Sequence, residues 1–313
     1  MKSKVSSLAS PSATTDVLRR FALSPKKQFG QNFLINDAIV RKILHLAEVC
    51  QSDDIIEIGP GIGTLTCALA ANAHSVISVE RDADLLDVLG YTMNDAKNFH
   101  LIMCDALNVK ADAISDAVAH LSTFDTDCKL PSKLVANLPY AVAATVVLRF
   151  FEEFSFIKSA TVMVQREVAN RMQARPATKE YGAYTVKLSL FAKPNGSFSV
   201  SAGNFLPAPR VESTVIRLDR FSPKDESGKP FSANVITAAA DMADAAFFAR
   251  RKTIANSATA YFRANGASAI AQKVPEILEA AHIDPRRRGE TLTQDEFLAL
   301  GKIIALNVSE QGV

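Results

Sequence analysis

The stretch Asp54–Thr66 constrains the fold of this chain more than any other, because an apolar run leads directly into closely spaced glycines. Its first residues, Asp-Ile-Ile-Glu-Ile, predict a buried strand, and Leu65–Ala71 predicts a helix. The turn between them has a glycine at every second position: Gly59, Gly61 and Gly63. Such a turn lets the backbone approach a bound nucleoside closely. Strand, glycine turn and helix together predict the first half of a βαβ unit.

The residues that follow complete this unit. Val76–Val79 is a second apolar run and ends at Glu80, about where a βαβ unit places the carboxylate that hydrogen-bonds ribose hydroxyls. A dinucleotide needs a G-x-G-x-x-G turn to hold its pyrophosphate. This turn instead contains Pro60 and is preceded by the acidic Glu57. The combination better suits the cationic amino-acid end of S-adenosylmethionine.

Two further strand ends carry polar groups. Phe99–Met103 predicts a third strand, and Asp105 after it can accept an adenine amine or simply cap a turn. Earlier in the chain, polar amides alternate with apolar residues over 26–37, just before a helix that Asn36 or Asp37 caps. That segment can close over a small ligand or dock the N-terminus on the core.

A fourth strand is predicted in the short apolar run between Ser132 and Pro139, and it ends in a tight turn within Asn-Leu-Pro-Tyr at 137–140. Asn137 offers a side-chain carbonyl, and Leu138 offers a main-chain carbonyl. Pro139 biases the backbone so that both carbonyls can point into one space. Tyr140 supplies a ring on which a base can stack. Two acceptors beside a ring suit the exocyclic amine of a nucleobase, and the alternative is an ordinary turn with a buried tyrosine.

Composition limits the remaining possibilities. The 313 residues are 48% hydrophobic and 22% charged, which predicts a large domain plus a smaller one and no membrane-spanning run. The net charge is only +2, but basic residues cluster at 19–20, 26–27, 250–252 and 286–288, where they can contact phosphates. The four cysteines are widely spaced, so we expect reduced structural thiols, a cytoplasmic protein and no metal site.

The domain organisation follows from the order of these patterns. Residues 1–24, rich in Ser, Ala and Thr, predict a flexible or loosely helical lead-in. Residues 25–221 predict a catalytic domain whose sheet has about seven strands, the later ones antiparallel, including Thr185–Ala192. A linker-like stretch, 222–229, precedes an all-α domain at 230–313. The expected fold class is α/β with a smaller helical C-terminal domain.

With these motifs in place, the chain resembles the small-subunit ribosomal RNA adenine dimethyltransferase family over roughly residues 20–305. The resemblance rests on motifs in family order: Gln-Asn-Phe-Leu at 31–34, Glu57–Thr66, Glu80, Asp105, Asn137–Tyr140, Gln165–Arg171, Phe205–Val211 and Arg250–Thr253. The chain departs from the family pattern at Ala141, at Ala183-Tyr184 and at Ala208. These departures bear on affinity for the target RNA loop more than on methyl transfer.

The resemblance implies a Rossmann-like class I methyltransferase fold and S-adenosylmethionine as cofactor. It implies that the cofactor site is formed by Asn32, Leu34, Gly59, Glu80, Asp105 and Asn137. Asn137 and the Leu138 carbonyl would hold the target amine while Tyr140 stacks on the flipped base. Further substrate contacts are expected from Phe205, Arg250, Arg251 and Lys252.

The implied reaction is dimethylation at N6 of two adjacent adenosines near the 3′ end of small-subunit rRNA. The implied partner is that rRNA in a pre-ribosomal 30S particle, bound by a monomer with no membrane association. Two alternatives stay open. One is a methyltransferase that acts on large-subunit rRNA and confers antibiotic resistance. The other is a non-catalytic assembly or transcription factor on the same fold.

Overall fold

The computed structural model describes residues 5–26, 30–124 and 127–309, with side chains up to residue 306. The chain divides into two compact units. The first unit comprises Met1–Ala169 and Pro194–Arg220, and the second comprises Asn170–Lys193 and Phe221–Val313. The predicted domains differ from this division at 170–193, which lie with the helical part of the chain.

The secondary structure begins with a helix and continues as alternating strands and helices. The elements up to residue 172 are α1 (Pro11–Arg20), β1 (Phe33–Leu34), α2 (Asp37–Leu46), β2 (Asp54–Ile58), α3 (Thr64–Asn72), β3 (Ser75–Glu80), α4 (Leu86–Thr92), β4 (Phe99–Met103), α5 (Ala111–Leu121), β5 (Lys133–Asn137), α6 (Ala143–Glu153), β6 (Ser159–Gln165) and α7 (Arg166–Met172). The remaining elements are α8 (Ala183–Ser189), β7 (Ala192–Val200), β8 (Phe205–Leu206), β9 (Ser213–Arg220), α9 (Ala233–Phe248), α10 (Ile254–Ala264), α11 (Ser268–Ala280) and α12 (Gln294–Ser309).

The main sheet has seven strands in the order β4-β3-β2-β5-β6-β9-β7. The pairs from β4 to β6 are parallel, and β9 is antiparallel to β6. This confirms the predicted α/β fold with an antiparallel addition. Because β2, β3, β4 and β5 run in the same direction, the residues that follow them meet at one edge of the sheet.

The core of the first unit explains why these elements form. Strands β2 and β3 are buried along their whole length, as expected for parallel strands covered on both faces. One face packs Ile55, Val76 and Val135 against α2 and α3. In a separate cluster, Val17 and Leu18 of α1 pack against residues of the α4 region. The lead-in predicted for residues 1–24 is therefore a docked helix over 11–20.

One predicted element is wrong. Thr185–Ala192 has the alternation of a strand, but Ala183–Ser189 is the helix α8. Val186 is fully buried in a cluster with Met242 and Ala243 of α9, and the Thr185 hydroxyl donates to the Arg171 carbonyl at 2.7 Å. Packing against α9 decides the conformation here, because local propensity is weak compared with burial.

In the described residues of the second unit, the regular structure is helical apart from the start of β7 and an isolated β-bridge between Lys224 and Pro230. Tyr181 belongs to its core, where its hydroxyl donates to the Leu292 carbonyl at 2.8 Å. Together with Val186, this contact explains why the 170–193 segment lies with the helical residues. None of the helices in the described part of the chain is both long enough and apolar enough to cross a membrane.

Candidate functional site

A cavity lies at the carboxyl edge of the sheet, where the segments after β2, β3, β4 and β5 meet residues 30–34. It lies wholly within the first unit. The residues expected at the cofactor site or in catalysis all line it: Asn32, Leu34, Gly59, Glu80, Asp105, Asn137, Leu138 and Tyr140. Residues that are far apart in the chain thus come together because their strands are neighbours in the sheet.

The glycine turn forms the floor of this cavity. Gly59 has φ +69°, and a Cβ atom there would lie 3.4 Å from Cδ of Pro139. A side chain at this position would therefore strain the backbone and crowd the Asn-Leu-Pro-Tyr loop. At the start of α3, the buried Thr64 hydroxyl lines the cavity and has no hydrogen-bond partner among the residues that the structure describes. A buried hydroxyl of this kind at a cavity wall can form a hydrogen bond with a polar ligand.

Glu80 holds a fixed orientation at the end of β3. Its Oε1 accepts the main-chain N–H groups of Arg81 and Asp82, each at 2.8 Å. Burial raises the pKa of the Glu80 carboxyl above its usual value, although these N–H groups favour the charged form. A buried carboxylate held in this way is suited to accept hydrogen bonds from hydroxyl groups.

Glu57 is a second buried carboxyl in the cavity wall. The hydroxyls of Thr66 and Ser78 both donate to its Oε2, at 2.7 and 2.8 Å. Burial nevertheless raises the pKa of Glu57 to about 7. A nearby positive charge would lower that pKa again, so a cationic ligand is favoured beside Glu57.

Asp105 follows β4 and is held from two sides. Its Oδ1 accepts the Leu107 N–H at 2.9 Å, and its Oδ2 lies 3.1 Å from Nη1 of Arg81. Arg81 also lines the cavity. Arg81 was not among the predicted site residues, although its position directly after Glu80 was a signal that it would lie at the same edge.

The Asn-Leu-Pro-Tyr loop presents two oxygen acceptors. The Asn137 amide nitrogen donates to the Asn32 carbonyl at 3.3 Å, and the Leu138 N–H donates to the Met163 carbonyl at 3.1 Å. Since the Asn32 carbonyl can only accept, the Asn137 amide nitrogen must face it, and Oδ1 takes the other side. Within the described part of the chain, no group donates to Asn137 Oδ1 or to the Leu138 carbonyl.

The Tyr140 ring is held by Ser213, which no sequence motif predicted. The Tyr140 hydroxyl lies 2.6 Å from Oγ of Ser213, which is fully buried at the start of β9. Burial raises the pKa of Tyr140, so its hydroxyl stays protonated. Ser213 lies 73 residues along the chain, and no local pattern could have linked the two.

Residues 30–34 close the cavity near Asp82. The Gln31 side chain accepts the Lys26 N–H at 2.9 Å and donates to Asp82 Oδ2 at 2.7 Å. The Lys26 ammonium contacts Asp82 and Asp84, each at 2.6 Å. Residues 27–29 of this predicted ligand-closing segment lie outside the described residues.

Two residues that were predicted to contact the substrate do not line the cavity. Phe205 is 3% exposed in the core beside Leu34 and does not line the cavity, because β8 pairs with β1 there. Arg250 lies in the second unit, where its guanidinium contacts Glu290 at 3.0 Å and the Lys179 carbonyl at 2.8 Å. The neighbouring residues Arg251 and Lys252 are exposed. Phe205 and Arg250 therefore have structural contacts in this conformation.

Comparison with known proteins agrees with this geometry. Residues 22–300 match the family described as ribosomal RNA adenine dimethylase. A ribosomal RNA small subunit methyltransferase A from Alkaliphilus metalliredigens is 38% identical, covering 95% of this chain and 98% of the relative. The protein of the same name from Clostridium botulinum is 36% identical, covering 93% and 98%.

Solved structures support the fold. A dimethyladenosine transferase from Plasmodium falciparum superposes with a TM-score of 0.68 at 23% identity, covering 90% of this chain and 98% of the other. The 23S rRNA methyltransferase ErmE superposes with a TM-score of 0.58 at 22% identity, covering 87% and 98%. The sequence match over nearly the whole chain identifies the protein: it belongs to the ribosomal RNA adenine dimethylase family.

Proposed function

We propose that this protein dimethylates the N6 amines of two adjacent adenosines near the 3′ end of small-subunit rRNA. As a member of its family, it is an S-adenosylmethionine-dependent rRNA adenine dimethyltransferase. The observation that carries the proposal is a pair of carbonyl acceptors, Asn137 Oδ1 and Leu138 O, to which no described residue donates, beside the anchored Tyr140 ring.

The cavity has the chemistry that S-adenosylmethionine requires. When bound, this cofactor supplies a methyl group on a positively charged sulfur. Glu80 is suited to its ribose hydroxyls and Asp105 to its adenine amine, while the Thr64 hydroxyl offers a further polar contact. Glu57 adds negative charge for the ammonium end, in keeping with a pKa near 7 that a cation would lower.

The target base is recognised by the loop after β5. Asn137 Oδ1 and the Leu138 carbonyl can accept both hydrogens of an adenine amine, which leaves the nitrogen lone pair directed at the methyl donor. The Tyr140 ring offers a stacking surface for a base taken out of its stack. The rate gain comes mainly from orientation, because the methyl group already has a good leaving group. After the first transfer, one N–H remains for one acceptor, so the loop can hold the monomethyl product.

The particle, the cell compartment and the oligomeric state in which the protein acts are also part of this proposal. We place the activity on a pre-ribosomal 30S particle in the cytoplasm, because the small-subunit relatives and the rRNA chemistry point there. A monomer suffices, since one chain provides every group of the cavity. Arg251 and Lys252 in the exposed turn between α9 and α10 are suited to contact RNA phosphates.

Asn137→Ala tests the proposed catalytic group. We expect turnover on small subunits to fall by about 10²–10³-fold, as when one aligned polar group is removed from an active site. S-adenosylmethionine affinity should fall far less, since the ribose and adenine contacts are assigned to Glu80 and Asp105, which the substitution leaves in place. Asn94→Ala, at an exposed position, is the matched control. Wild-type turnover in Asn137→Ala would refute the assignment.

The choice of ribosomal subunit tests the substrate separately. Purified small and large subunits are incubated with the protein and labelled cofactor, and methylated adenosines are mapped by mass spectrometry. Label on large subunits alone would favour the antibiotic-resistance alternative. Cofactor binding without transfer to either subunit would favour the non-catalytic factor.

A further inference from the structure

A second group of chemically active side chains lies at the opposite edge of the sheet. Asp54 is the first residue of β2, His74 directly precedes β3, and Cys128 lies in the segment that leads into β5. One ligand atom from each of them lies within 4.8 Å of the other two. Because these strands are parallel and start here, this cluster and the cavity are at opposite ends of the same strands.

The Asp54 carboxylate is buried, and its described partners do not include a lysine or arginine side chain. It is 6% exposed, and its Oδ1 accepts the Ser75 hydroxyl at 2.6 Å and lies 2.9 Å from His74 Nδ1. Its Oδ2 accepts the Lys129 N–H at 3.3 Å. Among the described residues, no lysine or arginine side chain pairs with Asp54, and the nearby Lys133 pairs with Asp53 at 2.8 Å. A buried carboxylate without a permanent cation is a position where a metal ion provides compensation.

We propose that the Asp54–His74–Cys128 cluster binds one divalent cation of the zinc type. Thiolate, imidazole and carboxylate are the three ligand types that Zn²⁺ takes in proteins, usually in a four-coordinate site. Three protein ligands and one water molecule would complete that coordination. The cluster uses no residue of the methyl-transfer cavity, and its ligands come from three separate segments. Its role is therefore to tie the segment before β5 to the starts of β2 and β3.

Metal binding changes which groups of the cluster carry protons. The Cys128 thiol releases its proton to solvent when sulfur binds the metal, because the ligand is the thiolate. His74 binds as neutral imidazole through one ring nitrogen and keeps its proton on the other. The Ser75 hydroxyl stays on the Asp54 carboxylate and orients it.

Metal titration of the full chain tests the proposal. The protein is stripped with a chelator, dialysed and titrated with Co²⁺ and then Zn²⁺. We expect one equivalent of Co²⁺ to bind with a thiolate-to-cobalt absorption band, and Zn²⁺ to displace it. Cys128→Ser and His74→Ala should lose the band, and Ser75→Ala should weaken Zn²⁺ affinity about 10–100-fold. Cys50→Ser is the matched control, since Cys50 is an exposed thiol outside the cluster.

A measurement on the wild type covers the case in which a ligand variant does not fold. Zn²⁺ should protect Cys128 from alkylation, followed residue by residue by mass spectrometry, while Cys50 reacts at the same rate with and without metal. Equal alkylation of Cys128 with and without Zn²⁺, or an unchanged cobalt band in folded Cys128→Ser, would overturn the proposal. Because the readouts are metal binding and thiol reactivity, they are independent of methyl transfer.

Discussion

Replacing Glu57 by glutamine should make the protein more stable at alkaline pH. The Glu57 carboxyl is completely buried, and burial raises its pKa from 4.5 to about 7. The folded protein therefore binds a proton at pH values where the unfolded chain does not. The stability linked to this carboxyl is fully present below about pH 4.5 and is lost as the pH rises through about 7. At 1.36 kcal/mol per pKa unit, the loss amounts to about 3 kcal/mol.

Glutamine removes this dependence because its amide does not titrate in the same range. Its carbonyl oxygen can still accept from the Thr66 and Ser78 hydroxyls that now contact Glu57 Oε2. Glu57→Gln should therefore resemble the wild type near pH 5 and exceed it by up to about 3 kcal/mol near pH 8. S-adenosylmethionine affinity should fall at the same time, since the negative charge beside the cationic cofactor is lost.

Urea unfolding followed by far-ultraviolet circular dichroism at pH 5, 6, 7 and 8 measures this difference, and the chain has no tryptophan to serve as a probe. Thr66→Ala is a matched variant, because it removes a donor to the charged carboxyl. It should raise the Glu57 pKa further and shift the loss of stability to higher pH. If Glu57→Gln and the wild type lose stability in parallel across this range, the buried carboxyl is not the titrating group.

Three further predictions concern the cavity and the exposed basic turn. Ser213→Ala removes the 2.6 Å contact to the Tyr140 hydroxyl, which is worth about 0.5–1.5 kcal/mol. The KM for small subunits should therefore rise up to about tenfold, with kcat changed less. If both parameters worsened equally, the result would contradict a role of Ser213 in placing the ring. Gly59→Ala should lower the free energy of unfolding by about 1–2 kcal/mol and weaken cofactor binding measured by calorimetry. Gly228 has a similar positive φ but open space around it, so Gly228→Ala should affect stability alone. Arg251→Ala should reduce the slope of log affinity for RNA against log salt concentration by the amount expected for about one phosphate contact, and leave cofactor affinity unchanged. An unchanged salt slope in filter-binding assays would exclude that contact.

Much of the fold and of the cavity could be predicted from local patterns. The apolar run 54–58, the glycines after it and Glu80 at the end of β3 are close in sequence, so their spacing reflects the backbone geometry of one βαβ unit. Asp105 and Asn137 both line the cavity, because each lies at the carboxyl end of a predicted parallel strand; their roles there stay predictions. The family match then agreed with the function expected from those motifs.

Prediction failed where contacts between distant residues decided the outcome. The 185–192 stretch alternates like a strand, yet burial of Val186 against α9 makes it part of a helix. Phe205 was expected at the substrate; the pairing of β8 with β1 buries it in the core outside the cavity wall, and its contact with the substrate stays a prediction. In both cases the local pattern is compatible with two states, and only the packing partner selects between them.

Taken alone, the sequence determined the order of strands and helices along the βαβ region and the polar residues at the strand ends, since short-range periodicity and turn geometry control them. Only the tertiary structure decided which distant side chains meet. The contact of Tyr140 with Ser213 and the convergence of Asp54, His74 and Cys128 depend on strand order in the sheet. Strand order is set by burial of the whole core, and no local spacing along the chain records it.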